Sequence, residues 1–324
     1  MNPTFERYKT LIDERLRRFA ERSEPQSLYE PTHYVLGGGG KRVRGVLVLL
    51  AADAVGGAAD RVVDAGAAVE TLHNFTLVHD DIMDRAETRR GRPTVHTRWD
   101  EGTAILAGDV MIGLAYEAVI RGELDNKLGI LDALTRGIID VCEGQALDCE
   151  LARRVSVSLD DYLHMIAMKT ARLAETAAEV GAIAGGGTPE QIAALRSYAR
   201  NIGLAFQIQD DILDITAEQA DFGKRIGGDV IEGKRTYLLV RALQSVTDGA
   251  DRVLLDWLVD AHGLPATEVA NMRDLYERNG LIAEAHDAVR SFTARAESDV
   301  AAHFDESARQ SLTDFAEMLL ERNS

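Results

Sequence analysis

Proline is scarce in this chain, and its placement leaves long stretches in which a helix need not be interrupted. Only six prolines occur among 324 residues, at Pro3, Pro25, Pro31, Pro93, Pro189 and Pro265. Aromatic residues make up 6% of the chain, and no segment shows the sustained apolar–polar alternation of a half-buried strand. Because proline breaks helices and the abundant alanine favours them, these features predict an all-α protein.

Two short acidic segments repeat one pattern, each inside an apolar, helix-like run. His79 to Asp84 reads HDDIMD, and Gln209 to Asp214 reads QDDILD. On an α-helix, offsets of zero, one and four residues place three carboxylates within an arc of roughly 100°. Such a cluster is unfavourable without a counter-charge, because like charges at this spacing repel. Mg²⁺, which takes oxygen ligands and often joins carboxylates to phosphates, is the natural compensation.

Basic residues stand where a polyanion would need them. Gly37 to Arg44 reads GGGGKRVR, Arg85 to Pro93 reads RAETRRGRP, and Lys224-Arg225 and Lys234-Arg235 each follow a glycine. Acidic clusters together with basic segments predict phosphorylated ligands bridged to the protein by metal ions. The alternative is a structural helical scaffold with accidental clusters, which Mg²⁺-dependent diphosphate binding would exclude.

Seven segments, in order along the chain, resemble those of the trans-isoprenyl diphosphate synthases, which build farnesyl, geranylgeranyl and longer polyprenyl diphosphates. The segments are GGGGKRVR (Gly37–Arg44), LHNFTLVHDDIMD (Leu72–Asp84), RRGRPTVH (Arg89–His96), LAGD (Leu106–Asp109), KT (Lys169–Thr170), FQIQDDILD (Phe206–Asp214) and GKRIGGDVIEGKRT (Gly223–Thr236). The resemblance implies the isoprenoid synthase type I fold, a single large helical bundle around a central cavity. It also implies a chain-elongating prenyltransferase that condenses isopentenyl diphosphate with allylic diphosphates.

The resemblance assigns the metal ions to six aspartates, which are Asp80, Asp81, Asp84, Asp210, Asp211 and Asp214. Asp80 and Asp84 are expected to bind Mg²⁺ on the allylic diphosphate directly, and Asp210 a further Mg²⁺. Asp211 and Asp214 are expected to support Asp210 through water or indirect contacts. Three Mg²⁺ ions per active site are expected by the same analogy.

Ten further residues are expected to bind the substrates. The allylic diphosphate is assigned to Arg89, Lys169, Lys234 and Lys224, isopentenyl diphosphate to Lys41, Arg44, His73 and Arg90, and the carbocation to the oxygens of Thr170 and Gln207. The catalytic residues implied are Asp80, Asp84, Asp210, Lys169, Thr170 and Gln207. In the implied reaction, the allylic diphosphate ionises with metal assistance, the double bond of isopentenyl diphosphate attacks the cation, and the released pyrophosphate removes a proton.

Three residues before the first cluster are expected to set the product length. Thr76, Phe75 and Leu72 lie four, five and eight positions before Asp80, one to two helical turns below the metal site. In the family, an aromatic residue at the position of Phe75 accompanies short products, and the pattern most resembles geranylgeranyl diphosphate synthases. A twenty-carbon product is therefore expected, with the fifteen-carbon product of farnesyl diphosphate synthases as the alternative. Phe75 as an ordinary core residue is the competing interpretation.

Composition bears on partners and location. The formal charge of −17 argues against nucleic acid as a partner, because a polyanion would be repelled. The N-terminal residues do not read as a signal peptide, and no membrane span is expected, so a cytoplasmic protein is predicted. Cys142 and Cys149 are expected to be buried thiols, too far apart on one helix for a disulfide.

One domain over residues 1–324 is expected, although length alone favours two. No linker rich in Pro, Gly or Ser divides the chain, and both acidic clusters would need to face one cavity. A homodimer is expected from the family, with Thr103 to Val119 supplying part of the interface.

Two other classes of protein are disfavoured. A noncatalytic regulatory subunit of a heteromeric prenyl synthase would commonly lack aspartates that are present here. A terpene cyclase would carry an Asn/Ser/Glu metal motif in place of Gln209 to Asp214. The chain departs from the usual family pattern where Gly45 and Leu238 replace proline, which concerns backbone shape more than ligand groups.

Overall fold

The computed structural model describes residues 2–19, 21–154, 156–217 and 226–320. In these residues the α-helices are α1 (Pro3–Phe19), α2 (Gln26–Leu36), α3 (Val43–Ala54), α4 (Val63–Met83), α5 (Val95–Arg98), α6 (Glu101–Arg121), α7 (Lys127–Leu151), α8 (Leu159–Ile166), α9 (Arg172–Ala184), α10 (Pro189–Thr216), α11 (Gly228–Glu232), α12 (Tyr237–Ser245), α13 (Gly249–Ala261), α14 (Val269–Arg278), α15 (Leu281–Ala301) and α16 (Glu306–Leu320). The described strands are β1 (Thr88–Arg89) and β2 (Arg92–Pro93), paired antiparallel. The prediction of an all-α fold is confirmed.

The prolines sit mostly where a helix tolerates them. Pro3 and Pro189 are the first residues of α1 and α10, where the missing N–H would have no helical acceptor. At the start of α10 the Gln191 N–H donates to Thr188 Oγ1, and the Thr188 N–H donates to Gln191 Oε1, which forms a capping box. Pro31 is the exception, because α2 continues through it.

The residues cluster into two compact units, each made of three segments. Unit 1 comprises Met1–Ile138, Leu173–Ser197 and Asp299–Phe315, and unit 2 comprises Ile139–Arg172, Tyr198–Ser298 and Ala316–Ser324. Every point at which the chain passes from one unit to the other lies within a helix, in α7, α9, α10, α15 or α16. The sequence-based expectation of a single domain over residues 1–324 stays a prediction.

In unit 1, α4 packs against α3 and α6, and α1 packs against α3 and α4. Small residues make this close approach possible. A Cβ on Gly66 of α4 would lie 2.6 Å from Ile12 Cδ1 of α1, so a larger residue would push the helices apart. Ala65, Ala68 and Val69 are fully buried on α4, as their spacing predicts. The helix that bears the first acidic segment is thus held within the core of unit 1.

In unit 2, the C-terminal half of α10 backs onto an apolar core. Ile208 and Ile212 of α10 are buried in this core together with Tyr162 of α8, Leu239 of α12 and Leu255 of α13. The apolar residues at i and i+4 fix one face of α10. The acidic residues of the second segment are thereby carried on a helix that the core holds in place.

Helix α6 is long and apolar enough to cross a membrane by length and composition, with a mean hydropathy of 1.6 over 18 residues. No such helix was expected from the sequence. Ala104, Ala107 and Met111 of α6 are buried, and α6 packs against α4. Among the described residues no other helix meets the same test.

The prediction that both cysteines are buried is wrong. Cys142 and Cys149 are both exposed, and neither forms a disulfide. They lie two turns apart on one face of α7, whereas the buried Val141 and Gly144 lie on a different face. Their exposure therefore depends on which face of α7 packs against the protein. The short segment around the cysteines does not determine that face by itself.

Candidate functional site

The first acidic segment forms the C-terminal turn of α4. Asp80 and Asp81 belong to the helix, and Asp84 follows as its C-cap, with its N–H donating to the Asp80 carbonyl at 2.8 Å. No basic residue lies in the last turn of α4, so the three carboxylates add to the partial negative charge of the helix end. This arrangement needs cations from outside the helix.

The three carboxylates of this turn differ in their surroundings. Asp81 is 5% exposed, and its Oδ1 accepts a hydrogen bond from Arg89 Nε at 2.8 Å. Burial raises the pKa of Asp81, and the charge of Arg89 opposes that effect. Asp80 is half-buried and Asp84 is exposed. Asp81 is thus engaged with an arginine, while Asp84 is the carboxylate most open to solvent.

A two-residue hairpin presents the arginines that follow. Arg90 and Gly91 form its turn with φ of 52° and 71°, the left-handed conformation typical of a type I′ turn. Arg89, on β1, reaches the carboxylate of Asp81, whereas Arg90 Nη1 donates to the carbonyl of Gly39 at 2.5 Å. Neighbouring arginines are therefore directed to two different segments, the acidic end of α4 and the glycine loop before α3.

The glycine loop approaches this hairpin closely. Gly39 and Gly40 have φ of 74° and 127°, and a Cβ on Gly40 would lie 2.7 Å from Arg90 Nη1. Glycine at position 40 therefore allows both the backbone conformation and the contact. The structure thus brings together two segments that the sequence analysis assigned to isopentenyl diphosphate.

His73 lies among several guanidinium groups. Its Nε2 is 3.1 Å from Arg44 Nη1, so the ring accepts this hydrogen bond, because arginine can only donate. Burial lowers the pKa of His73 well below its usual value. The charges of Arg44, Arg90, Arg89 and Arg42 lower it further. A neutral histidine with several arginines nearby lies in a region of positive potential, which suits an anion.

A pocket of about 460 Å³, including space open to solvent, lies beside these groups in unit 1. It is bounded by α2 and the glycine loop, by α4 and by the hairpin. Its lining residues are Tyr34, Val35, Gly38, Asn74, Leu77, Val78, Asp81, Arg89, Arg90, Arg92, Pro93, Thr94 and Val95. Asp81, Arg89 and Arg90 all line it, so the pocket brings the acidic end of α4 and the arginines of the hairpin to one cavity.

Of the other residues predicted for isopentenyl diphosphate, Lys41 is exposed and Arg44 is half-buried. The predicted chain-length residues lie on α4 as expected. Phe75 is 6% exposed and Leu72 is buried, while the hydroxyl of Thr76 donates to the His73 carbonyl at 2.8 Å.

In unit 2, the second acidic segment lies in the last two turns of α10, which has no basic residue in its last turn. Asp211 is buried and accepts hydrogen bonds from Tyr162 Oη at 2.7 Å, Tyr237 N at 2.8 Å and Gln207 Nε2 at 2.9 Å. Burial and the charge of Asp229 raise the pKa of Asp211 to about 7. Asp211 is therefore held by protein groups, whereas Asp210 is half-buried.

Asp214 and Asp229 continue this acidic region. Asp214 Oδ2 accepts the N–H of Asp229 at 3.1 Å. Lys234 Nζ lies 2.8 Å from Glu232 Oε2 and 3.8 Å from Asp229 Oδ1. The structure thus places Lys234 beside Asp229, the residue whose N–H donates to Asp214 of the second acidic segment. The predicted Lys224 lies outside the described residues.

Lys169 and Thr170 lie on a π-helical turn, Ala167–Ala171, between α8 and α9. Two glycines admit this turn: a Cβ on Gly144 would lie 2.3 Å from Lys169 N, and a Cβ on Gly203 would lie 2.6 Å from Ala171 Cα. Such bulges often occur at functional sites, because they redirect side chains within a helix. The π turn thus fixes the positions of two residues predicted to be catalytic.

The same turn connects to the second acidic segment. Thr170 Oγ1 donates to Gln207 Oε1 at 2.9 Å, and Gln207 Nε2 donates to Asp211 Oδ1 at 2.9 Å. Lys169 Nζ pairs with Asp148 Oδ2 at 2.5 Å. The structure therefore brings Thr170, Gln207 and Asp211 into one hydrogen-bonded chain, with both oxygens held in fixed orientations.

Sequence reasoning missed Asp148, Tyr162 and Asp229, which contact predicted site residues. It also missed Arg42 and Glu70, which contact each other at the turn that carries Lys41 and Arg44. Asp229 belongs to a recognised segment, GKRIGGDVIEGKRT, so that motif could have identified it. Asp148 meets Lys169 from a different helix, and no local pattern indicates that contact. Arg42 lies inside GGGGKRVR, where its charge alone does not distinguish it from its neighbours.

The acidic groups fit Mg²⁺ better than a metal held by the protein alone. In the part of the chain that the structure describes, no group of three or more His, Cys, Asp or Glu side chains is arranged to hold a metal. Mg²⁺ keeps several waters and usually binds one or two carboxylates plus substrate phosphates. Each of the two helix ends, taken by itself, offers oxygen donors and no basic residue in its last turn, which agrees with that mode.

Comparisons with known proteins point the same way. The profile of the family described as polyprenyl synthetase matches residues 25–276. A short chain isoprenyl diphosphate synthase from Methanothermobacter thermautotrophicus is 39% identical over 317 residues, covering 98% of this chain and 97% of that protein. A geranylgeranyl diphosphate synthase from Methanosarcina mazei is 43% identical over 224 residues, covering 68% of this chain and 69% of that protein. The crystal structure of a geranylgeranyl pyrophosphate synthetase from Pyrococcus horikoshii matches with a TM-score of 0.91 and 36% identity, covering 99% of this chain and 98% of that one.

Proposed function

The chain belongs to the polyprenyl synthetase family, and we propose that it is a chain-elongating prenyltransferase that makes geranylgeranyl diphosphate from isopentenyl diphosphate and allylic diphosphates. One observation carries the assignment of substrates. In unit 1, an arginine-rich region around neutral His73 lies beside the acidic end of α4, and Arg89 and Arg90 line the pocket between them. A diphosphate can thus be bound by cationic side chains alone, next to carboxylates that suit a metal-bound diphosphate.

Isopentenyl diphosphate is the ligand of the arginine-rich region. Lys41, Arg44, His73 and Arg90 bind its diphosphate without metal. Arginine suits this task because its planar group makes paired hydrogen bonds to phosphate oxygens. His73 already accepts a hydrogen bond from Arg44 at Nε2, so its Nδ1–H remains as the group that can donate to a phosphate oxygen.

The allylic diphosphate is bound through the acidic segments and their cations. Asp80 and Asp84 would hold Mg²⁺ on this diphosphate and Asp210 a further ion, with three ions per active site expected from the family. Asp81 acts through Arg89, which it orients by the 2.8 Å hydrogen bond. Asp211 and Asp214 stabilise the end of α10 that carries Asp210. Lys169 and Lys234 provide positive charge, and Lys224 closes over the diphosphate.

The reaction is an electrophilic condensation. The allylic carbon–oxygen bond breaks and releases pyrophosphate, and the resulting carbocation is attacked by the double bond of isopentenyl diphosphate. A carbon–carbon bond forms, and a proton passes to the pyrophosphate. Bound Mg²⁺ supplies stabilisation of the negative charge that develops on the leaving group.

The chain's own residues stabilise both charges of this reaction. Arg89, Lys169 and Lys234 attract the departing pyrophosphate, an effect that is strongest when the groups are held in place beforehand. The oxygens of Thr170 and Gln207 face the carbocation. Their mutual hydrogen bond and the bond from Gln207 to Asp211 keep those dipoles oriented.

The product length follows from the helix that carries Asp80. Phe75, buried above Leu72, closes the space into which the prenyl chain grows and limits the product to twenty carbons. Thr76, one turn before Asp80, borders the same space. The fifteen-carbon diphosphate is the alternative product.

The same proposal includes a cytoplasmic homodimer that binds no nucleic acid. Apolar residues of α6 remain uncovered within the protomer, with Ile105 43% exposed, Leu106 59% and Ile120 56%. A second copy covering this face would bury them. The buried Phe5 and Tyr8 make α1 part of the core of unit 1. Neither Cys142 nor Cys149 forms a disulfide, which agrees with a reducing compartment.

Mass spectrometry of the reaction products tests this function. The purified protein is incubated with isopentenyl diphosphate and Mg²⁺, and with dimethylallyl, geranyl or farnesyl diphosphate in turn. A dominant twenty-carbon diphosphate is expected, and the reaction should stop when EDTA removes the metal. A dominant product of another length would keep the enzyme class and overturn the length assignment. Absence of elongation with every starter would overturn the proposed function.

A further inference from the structure

Arg42 has a backbone conformation that is unusual for its residue type. Its φ of 50° and ψ of 37° place it in the left-handed region, where a residue with a Cβ is less stable than glycine. It directly precedes α3, and its carbonyl accepts the N–H of Val46 at 2.9 Å. Strained residues persist where the surrounding structure holds them, and they concentrate at functional sites.

The side chain of Arg42 supplies the contacts that hold this conformation. Only 3% of the residue is exposed. Its Nε donates to Asp13 Oδ1 on α1, and its Nη2 donates to the Leu36 carbonyl at the end of α2, both at 2.7 Å. Its Nη1 lies 3.8 Å from Glu70 Oε1 on α4. One guanidinium thus connects the turn before α3 to three other helices.

Glu70 contacts the same turn a second time. Its Oε2 accepts the N–H of Gly45 at 3.1 Å, in the first turn of α3. Glu70 is only 2% exposed, so this carboxylate has little water to stabilise it and depends on these partners. Proline, which the family pattern usually has at position 45, could not donate this hydrogen bond. Gly45 therefore lets Glu70 contact both ends of the Arg42–Gly45 turn.

The residues on either side of Arg42 point to a different environment. Lys41 is exposed, and Arg44 reaches His73, whereas Arg42 is directed into the protein. Three basic residues within four positions therefore divide into two kinds. Lys41 and Arg44 are assigned to the anion, whereas Arg42 contacts Asp13, Glu70 and the Leu36 carbonyl.

We propose that Arg42, clamped by Asp13 and Glu70, is a positioning residue that sets the placement of Lys41 and Arg44 for the diphosphate of isopentenyl diphosphate. Arg42 does not touch the substrate. This inference rests on the proposed function, because it assigns Lys41 and Arg44 to that substrate. It goes further, because it attributes the binding geometry of Lys41 and Arg44 to Arg42, Asp13 and Glu70, which do not contact the substrate.

Steady-state kinetics with each substrate varied separately test the proposal. The variants are Arg42→Gln, which removes the charge, and Arg42→Lys, which keeps the charge but cannot reproduce the two hydrogen bonds and the ion pair of the guanidinium. Both should raise KM for isopentenyl diphosphate about tenfold or more, with KM for the allylic diphosphate and kcat changed less than about threefold. A residue that merely stabilises the fold is not expected to change KM for one substrate while leaving kcat and the other KM nearly unchanged.

Variants of Asp13 and Glu70 test the same proposal if the Arg42 variants do not fold. Asp13→Asn and Glu70→Gln keep a hydrogen-bond acceptor and remove one charge each. They should raise KM for isopentenyl diphosphate alone, by a smaller factor. The matched control is Asp64→Asn, which breaks the ion pair between Asp64 of α4 and Arg15 of α1 without touching the loop. That control should leave both KM values unchanged.

The outcomes separate this proposal from the proposed function. Arg44→Gln, a direct ligand variant, should raise KM for isopentenyl diphosphate. If it does not, the assignment of the substrate site fails. If Arg44→Gln behaves as expected while folded Arg42 variants leave both KM values unchanged, or raise them equally, the positioning role of Arg42 is overturned. Full activity of Arg42→Lys would likewise overturn it, since charge alone would then suffice.

Discussion

The imidazole ring of His79 stands edge-on to the phenyl ring of Phe75, with ring centroids 4.9 Å apart and an interplanar angle of 77°. The same imidazole approaches α6, where its Nε2 lies 3.3 Å from the Ile105 carbonyl. A Cβ on Gly108 would lie only 2.1 Å from Nε2. Gly108 therefore leaves the space that His79 occupies, and His79 in turn packs against the residue proposed to limit product length.

Replacing Phe75 with alanine should lengthen the product. The removed ring would open the space below Asp80, so that a further isoprene unit could be added. Because Phe75 is buried, the change should also cost about 3 kcal/mol of stability. Product analysis by mass spectrometry, at a temperature where circular dichroism shows the variant folded, provides the measurement. An unchanged product distribution would place the limit elsewhere.

Replacing Gly108 with alanine should change the product without touching Phe75. The added methyl group would displace His79, and Phe75 would lose the ring contact that fixes its orientation. We expect a larger share of products beyond twenty carbons, with kcat for the first condensation within about threefold of the original value.

Gly113→Ala is the matched control for that experiment. Gly113 lies on the same helix, and a Cβ there meets no atom within 4 Å in the protomer. Because Gly113 lies in the predicted dimer segment, light scattering should accompany both variants. Equal product shifts in the two variants, or none in Gly108→Ala, would contradict a role for the Gly108–His79 contact.

Removing either carboxylate proposed to bind metal should strongly lower kcat while leaving the fold intact. Asp80→Ala and Asp210→Ala should each lower kcat about 10³-fold, which corresponds to roughly 4 kcal/mol of lost charge stabilisation. Product formation is measured across a range of Mg²⁺ concentrations, and circular dichroism monitors folding. Asp64→Ala, at the other end of α4, serves as the control. Near-normal kcat in either cluster variant would contradict the assignment.

The helices that carry the acidic segments were predictable from the sequence because helical periodicity is a local property. The same holds for the capping box of Thr188 and Gln191, whose partners are three residues apart. The spacing of Asp80 and Asp84 placed them on one helical face, and α4 indeed continues to Met83 with Asp84 as its cap. In each case, neighbouring residues contain all the information.

Other features depend on contacts between distant segments. Arg42 adopts a left-handed conformation because Asp13, Leu36 and Glu70 hold its side chain, and only the folded structure brings these groups together. The π turn at Lys169 requires the absence of a side chain at Gly144 on another helix. A single sequence does not encode these relations in any local pattern.

The pKa of His73 gives a prediction for the dependence of stability on pH. Burial and neighbouring arginines hold this pKa well below the usual 6.5, so the native state keeps the ring neutral. In the unfolded chain the ring binds a proton as the pH falls below about 6.5. The unfolded state then binds more protons than the native state, so stability must fall as the pH decreases, by at most about 1.4 kcal/mol per pH unit from this group.

His73→Gln isolates that contribution, because glutamine can still accept the hydrogen bond from Arg44 but does not titrate. The free energy of unfolding of both proteins is measured by urea denaturation between pH 8 and pH 5. Above pH 7 the difference between them should be constant. Below about pH 6.5 the original protein should lose stability relative to the variant. A difference that stays constant down to pH 5 would show that His73 has an ordinary pKa and is not held neutral by the arginines around it.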